Sequence, residues 1–182
     1  MSAAPRILSI GEAMLELSSA GQDDLWRLGI AGDTLNTAWY LRHLLGDQAR
    51  VDYFTRVGTG EFSRKMLDFL NAEGIGTGDI ARDPIREIGL YAISLKDGER
   101  SFSYWRDSSA AKCLADDPAA LDRALAGSAI AYFSGISVAI LSDQGRENLR
   151  AALARARANG TMVVLDPNQP PRLRADAAAM RA

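Results

Sequence analysis

Apolar positions recur along the chain in two periods, and each predicts an element. Arg6–Ile10 is a short apolar run ending at Gly11, the pattern of a buried strand. Leu35, Ala38, Leu41 and Leu45 form one stripe at helical spacing and predict a helix over Asp33–Leu45. Gly46 stands where a helix-ending glycine belongs, and Asp33 or Thr34 is expected to cap the first turn. Residues 51–57 alternate as a strand up to Gly58. A second helix follows, with Phe62, Met66 and Phe69 on one face and Gly74 at its end. Asp117 and Pro118 read as an N-cap and first-turn proline, opening a short helix to about Ala126. Residues 130–133 predict a strand. Ser142 opens a helix carrying Leu149, Leu153 and Ala156, ended by Gly160, and residues 162–165 predict a last strand. Pro167, Pro170 and Pro171 stop any regular continuation.

Strands thus alternate with helices across short connections, which predicts an α/β fold with a mostly parallel sheet flanked by helices. One segment breaks the alternation. Residues 90–95 and 100–106 are two β-like runs around Lys96-Asp97-Gly98-Glu99, and Asp-Gly is a strong two-residue hairpin turn signal. Counting outward from that turn sets Lys96 against Glu99, Ile93 against Phe102 and Tyr91 against Tyr104. Tyr91, Ile93, Phe102, Tyr104 and Arg106 then share one face. Such a face suits a polar ligand with a carboxylate, the arginine offering a fork and the phenols hydrogen bonds. Aromatic cross-strand packing beside a solvated arginine accounts for the same pattern.

Composition narrows the function classes. The 182 residues fit one domain or part of a larger one. Lys and Arg total 21 against 23 Asp and Glu, so no basic excess exists to attract nucleic acid. Cys113 is the sole cysteine and His43 the sole histidine. This excludes an internal disulfide and a structural zinc site of Cys/His type, and both residues read as packing or surface positions. A cytoplasmic location is expected. Residues 1–5 lack the features of a signal peptide. Residues 124–142 carry no charge, but their glycines and serines make a helix end, a strand and a loop the expected reading, not a membrane span.

Ala31-Gly32-Asp33-Thr34-Leu35-Asn36-Thr37-Ala38, followed by Gly46 and Val57-Gly58, resembles the N-terminal signature of the ribokinase-like (PfkB) carbohydrate kinases. Ile10-Gly11-Glu12-Ala13-Met14 resembles that family's first strand and its exit. Gly89-Leu90-Tyr91 and Tyr104-Trp105-Arg106 look like the lid strands of its 2-keto-3-deoxygluconate kinase branch. Ser134-Gly135-Ile136 and Asp166-Pro167-Asn168 resemble its mid-sheet loop and its Asp-x-Asn motif.

The resemblance implies a ribokinase-like fold with a small β lid, of which residues 1–182 are the N-terminal part, the lid strands lying at about 12–30 and 88–106. It implies transfer of the ATP γ-phosphate, with Mg2+, to the 6-hydroxyl of 2-keto-3-deoxygluconate. Carried over by position, Gly32, Asp33, Asn36, Tyr91, Tyr104, Arg106 and the main chain at Trp105 would contact the sugar acid. At Gly32 the absence of a Cβ would let the sugar approach the backbone. Asn168 would lie near the ATP phosphates, or else serve as a turn asparagine. Glu12 would face the sugar or stand as a charge at the lid edge. The resemblance also implies a homodimer paired through the lid strands.

Two departures qualify the resemblance. Pro170 stands where the branch often has arginine, and Arg172 is the nearest substitute. The family's Gly-Ala-Gly-Asp motif, with its anion hole and base, has no counterpart here. Asp33 is read as sugar-side and no catalytic residue is assigned to this chain. The expectation is a chain that lacks the C-terminal half of the fold, binds sugar acid weakly and does not turn over. Three alternatives stay open: a fructokinase, a 5-keto-2-deoxygluconate kinase, or a non-catalytic sugar-acid-binding module.

Overall fold

A computed structural model describes residues 4–21, 24–96 and 99–168. Its larger sheet contains β1 (Arg6–Ile10), β4 (Arg50–Phe54), β9 (Ile130–Ser134) and β10 (Met162–Asp166) in the order β10-β9-β1-β4, all parallel. The smaller sheet contains β2 (Met14–Ser19), β3 (Trp26–Ala31), β7 (Leu90–Lys96) and β8 (Glu99–Trp105) in the order β3-β2-β7-β8. Here β2 and β7 are parallel, and the outer pairs are antiparallel.

Alternation along the central strands gives the larger sheet two apolar faces. Val51 and Tyr53 face one core, shared with Leu35 and Ala38 of α1 (Asp33–Leu45) and with Met66 and Leu70 of α2 (Glu61–Ala72). Leu8, Ile10, Phe54, Ala131 and Phe133 belong to the other. It is closed by α3 (Pro118–Leu125) and by Leu149, Ala152 and Leu153 of α5 (Asp143–Ala158). At the outer strand β10, Val163 packs against this second core while Met162, Val164 and Leu165 are exposed.

Most elements fall where the periodicity puts them. Asp117 accepts hydrogen bonds from the N–H groups of Ala119 and Ala120, with Pro118 in the first turn. Ser142 caps α5 through Gly145 N–H. Gly46, Gly74 and Gly160 follow their helices with positive φ. The hairpin register is the expected one, with Tyr91 against Tyr104, Ile93 against Phe102 and Lys96 against Glu99. The Asp97-Gly98 turn itself lies outside the described residues, as do Pro170, Pro171 and Arg172.

Four local expectations are corrected. The run 51–57 is not one strand: β4 ends at Phe54 beside Ile10, and β5 (Arg56–Val57) leaves to pair with β6 (Ala81–Arg82). Phe62 is exposed, and α2 buries Ser63, Met66 and Leu70 instead. Neither Asp33 nor Thr34 caps α1 from outside. Gly32 is its N-cap, and the Asp33 Oδ1 accepts from Thr34 N–H at 2.7 Å. The stretch after Ser134 is a short helix, α4 (Gly135–Ala139), closed by a reciprocal Ser134–Ser137 capping box. Residues 124–142 are thereby divided among a helix end, a strand and this helix. Among the described residues no helix is long and apolar enough to cross a membrane.

Candidate sugar site between the two sheets

The C-terminal ends of parallel strands lie at one end of a sheet, and the smaller sheet stands over that end. The segment leaving β1 enters β2, and β3 leads directly into α1. Between the two sheets lies a cleft of about 780 Å³. Its lining comes from Glu12 and Met14, from Gly32, Asp33 and Asn36 at the start of α1, from Tyr91 and the 100–107 segment, and from Ile136 of α4. Of the seven residues expected at a sugar site, Gly32, Asp33, Asn36, Tyr91, Tyr104 and Arg106 line this one cleft. Trp105 is paired with Leu90 and does not line it; its side chain is exposed on the other face of β8.

The first turn of α1 is fixed from below. Ser9 Oγ donates to the Thr34 carbonyl at 2.9 Å, and Thr34 Oγ1 and the Tyr53 hydroxyl hydrogen-bond at 2.9 Å. Full burial pushes the Tyr53 phenol well above its usual range, so it stays neutral. Asp33 Oδ2 is buried without a partner among the described residues, an acceptor available to a ligand hydroxyl. Gly32 is required for a reason different from the expected one. A Cβ there would stand 2.5 Å from the Glu12 carbonyl oxygen and 3.2 Å from Ala13 Cα. The close approach is that of the chain itself, where β1's exit passes under β3's end.

The aromatic face of the hairpin packs and lines the cleft at once. The Tyr91 ring lies 5.8 Å from Tyr104 and 6.2 Å from Phe102, and the Arg106 guanidinium sits 5.9 Å from the Tyr104 centroid. The Tyr91 hydroxyl donates to Glu16 Oε2, a residue directly beside it on β2. Burial, then the Glu16 hydrogen bond, raise the Tyr91 phenol's pKa. With its proton committed, Tyr91 meets a ligand as an acceptor.

Arg106 is not solvated, and it already carries a carboxylate of the protein. Its Nη2 donates to Glu12 Oε2, and Ser109 Oγ donates to Glu12 Oε1. Glu12 is therefore a buried carboxylate in the cleft wall. Burial raises its pKa; Arg106 and Ser109 pull it back only in part. Glu16 and Ser109 were invisible to pattern reading. Counting from a hairpin turn gives only antiparallel partners, and Glu16 meets Tyr91 across a parallel pair. The serine lies in an irregular segment.

Asn168 is exposed at the end of β10, where its N–H donates to Asp166 Oδ1 at 3.0 Å. This is the local turn arrangement, and no phosphate cradle surrounds it among the described residues. The other glycine-rich helix start, Gly58 to Gly60 before α2, is already filled. The Glu87 carboxylate accepts from Gly60 N–H at 2.7 Å and from Ser63 Oγ at 2.6 Å. Among the described residues no cluster of metal-binding side chains occurs.

Known proteins are similar to this chain in sequence and in fold. The 2-dehydro-3-deoxygluconokinase of Escherichia coli (strain K12) is 43% identical over 172 residues, covering 92% of this chain and 55% of that protein. A fructokinase of Vibrio alginolyticus is 27% identical over 159 residues. Among solved structures, a PfkB protein from Polaromonas sp. JS666 superposes with a TM-score of 0.85 at 27% identity, covering 98% of this chain and 60% of that one. The 2-dehydro-3-deoxygluconokinase of Thermotoga maritima gives 0.80 at 25% identity, covering 93% and 52%. The chain thus spans about half the length of the relatives it matches. Residues 4–182 match the description "pfkB family carbohydrate kinase", and the chain belongs to that family.

Proposed function

We propose that this chain forms the sugar-binding part of a kinase that phosphorylates the 6-hydroxyl of 2-keto-3-deoxygluconate. The observation that carries the reading is Arg106, a guanidinium held in the same cleft as Asp33 and Asn36. A neutral hexose brings no carboxylate to that group, whereas a sugar acid does. The higher identity to 2-dehydro-3-deoxygluconokinases than to fructokinases supports the same choice. In this reading Arg106 takes the carboxylate, while Asp33 and Asn36 hold hydroxyls and Tyr91 accepts from one. Tyr104 and Phe102 form a wall that excludes water, and the smaller sheet acts as the lid.

ATP, with Mg2+, would supply the transferred phosphoryl group. Asn168, exposed at the end of β10, would lie near its phosphates, while the start of α2 is occupied by Glu87. No phosphoryl-transfer step is assigned to the described residues. What they contribute is binding, orientation and exclusion of solvent at the sugar. We also propose a cytoplasmic protein that pairs through its lid strands. The exposed outer strand β8 and the exposed Trp26, Leu95 and Trp105 support that surface.

The test is a substrate comparison with the longest native product carrying this chain. Phosphorylation of 2-keto-3-deoxygluconate should exceed that of fructose, and Arg106→Ala should abolish the preference. A preference for fructose that survives Arg106→Ala would replace this reading with the fructokinase one, which the Vibrio alginolyticus relative favours.

A further inference from the structure

The buried carboxylate opposite Arg106 has a consequence for how an anion enters the cleft. Glu12 has a side chain only 1% exposed, and Arg106 one only 13% exposed. The guanidinium therefore carries a carboxylate before any ligand arrives. It has about five N–H donors in a planar fork; Nη2 serves Glu12, and Nε is buried without a partner among the described residues. Donors thus remain for a second carboxylate, but charge does not. Two carboxylates about one guanidinium leave a net negative charge in a site shielded from water, where protonating one of them relieves the repulsion.

The surroundings decide which of the two takes the proton. Around Glu12 lie Arg106 and Ser109 from the segment after β8, the more distant Lys112 and the neutral Tyr53 phenol of β4, and the acids Asp33 and Asp107 line the same cleft. Burial already favours the neutral form of Glu12 over this partial compensation. A 2-keto acid, by contrast, is a stronger acid than a side-chain carboxyl because its carbonyl withdraws charge.

We propose that Glu12 is the positioning residue that fixes the Arg106 guanidinium in the cleft, and that Glu12 takes up a proton from solvent when an acidic sugar binds there. The second half rests on the sugar-acid reading above. No bond is made or broken apart from that proton transfer: the ligand enters as its carboxylate, solvent supplies the proton, and Glu12 becomes the neutral acid. Ser109 and the ligand carboxylate are the acceptors within its neighbourhood. A neutral sugar leaves the Glu12–Arg106 pair intact and takes up nothing.

Two measurements test this. In the ligand-free protein, a carboxyl-carbon NMR titration should show Glu12 titrating at higher pH in Arg106→Ala than in the wild type; an unmoved midpoint would overturn the pairing. Calorimetric titration with 2-keto-3-deoxygluconate in buffers of different ionisation enthalpy should report net proton uptake. Above the Glu12 midpoint its affinity should fall about tenfold per pH unit. Glu12→Gln should bind without uptake and without that pH dependence. If this variant does not fold, the buffer dependence of the wild type decides the matter alone. Arg106-dependent binding of the acid with no proton uptake overturns this inference and leaves the sugar-acid reading standing. Failure of the wild type to bind the acid overturns both, while the ligand-free titration still judges the pair.

Discussion

Gly32→Ala separates two physical reasons for one glycine. If the glycine serves only to let a ligand approach, an added methyl lowers affinity and leaves stability alone. The structure predicts a loss of stability as well. The Gly32 φ of 171° is extended backbone open to any residue, so no conformational strain arises. The new Cβ would instead lie 2.5 Å from the Glu12 carbonyl oxygen, which is main chain and not a side chain that can swing away. Restoring van der Waals separation requires the Glu12–Ala13 backbone to move by roughly half an ångström or more, an overpacking that costs about 1–3 kcal/mol. The same movement displaces Glu12, and with it Arg106, so ligand affinity should fall as a second effect. Urea denaturation of both proteins at equal m-value measures the first quantity directly. A variant as stable as the wild type within about 0.5 kcal/mol, the range of neutral surface changes, would refute the reasoning.

Glu87→Ala removes the carboxylate that fills the N-terminus of α2 and should lower stability by about 1 kcal/mol near neutral pH, the usual scale of a lost cap, with solvent screening holding it there. Hydrogen bonding from Ser63 holds the Glu87 carboxyl below its usual pKa, against a smaller opposing effect of burial. Its contribution is therefore present above the ordinary carboxylate range and lost as pH falls through the lowered value. The gap between variant and wild type should close in acid, and a gap that widens there contradicts the assignment. Pairing through the lid strands predicts a dimer by sedimentation that Trp105→Glu disrupts; a dimer indifferent to that change places the interface elsewhere.

Sequence pattern reached the fold and part of the cleft for identifiable reasons. Helix α1 was legible to the residue because its stripe and terminal glycine agree. The hairpin register followed from one dipeptide, which placed Tyr91, Tyr104 and Arg106 on a common face. What stayed hidden depends on partners distant in sequence. The strand run 51–57 changes sheets after Phe54, and alternation does not record a change of neighbour. Ser63 is buried on α2 because Glu87 and Gly58 satisfy its hydroxyl, so a polar residue occupies an inner position that hydrophobicity assigns to Phe62. For Glu12 the sequence leaves a sugar-facing residue and a lid-edge charge both open, because its contacts with Arg106 and Ser109 lie more than ninety residues away.

Isothermal titration of the wild type and Arg106→Ala with 2-keto-3-deoxygluconate and with fructose is the most direct trial of the site. The account predicts that the acid binds more tightly than fructose and that losing the guanidinium weakens the acid alone, bringing the two affinities together. Equal loss for both sugars, or no loss for the acid, would mean that Arg106 holds the wall of the cleft and does not read its ligand's charge.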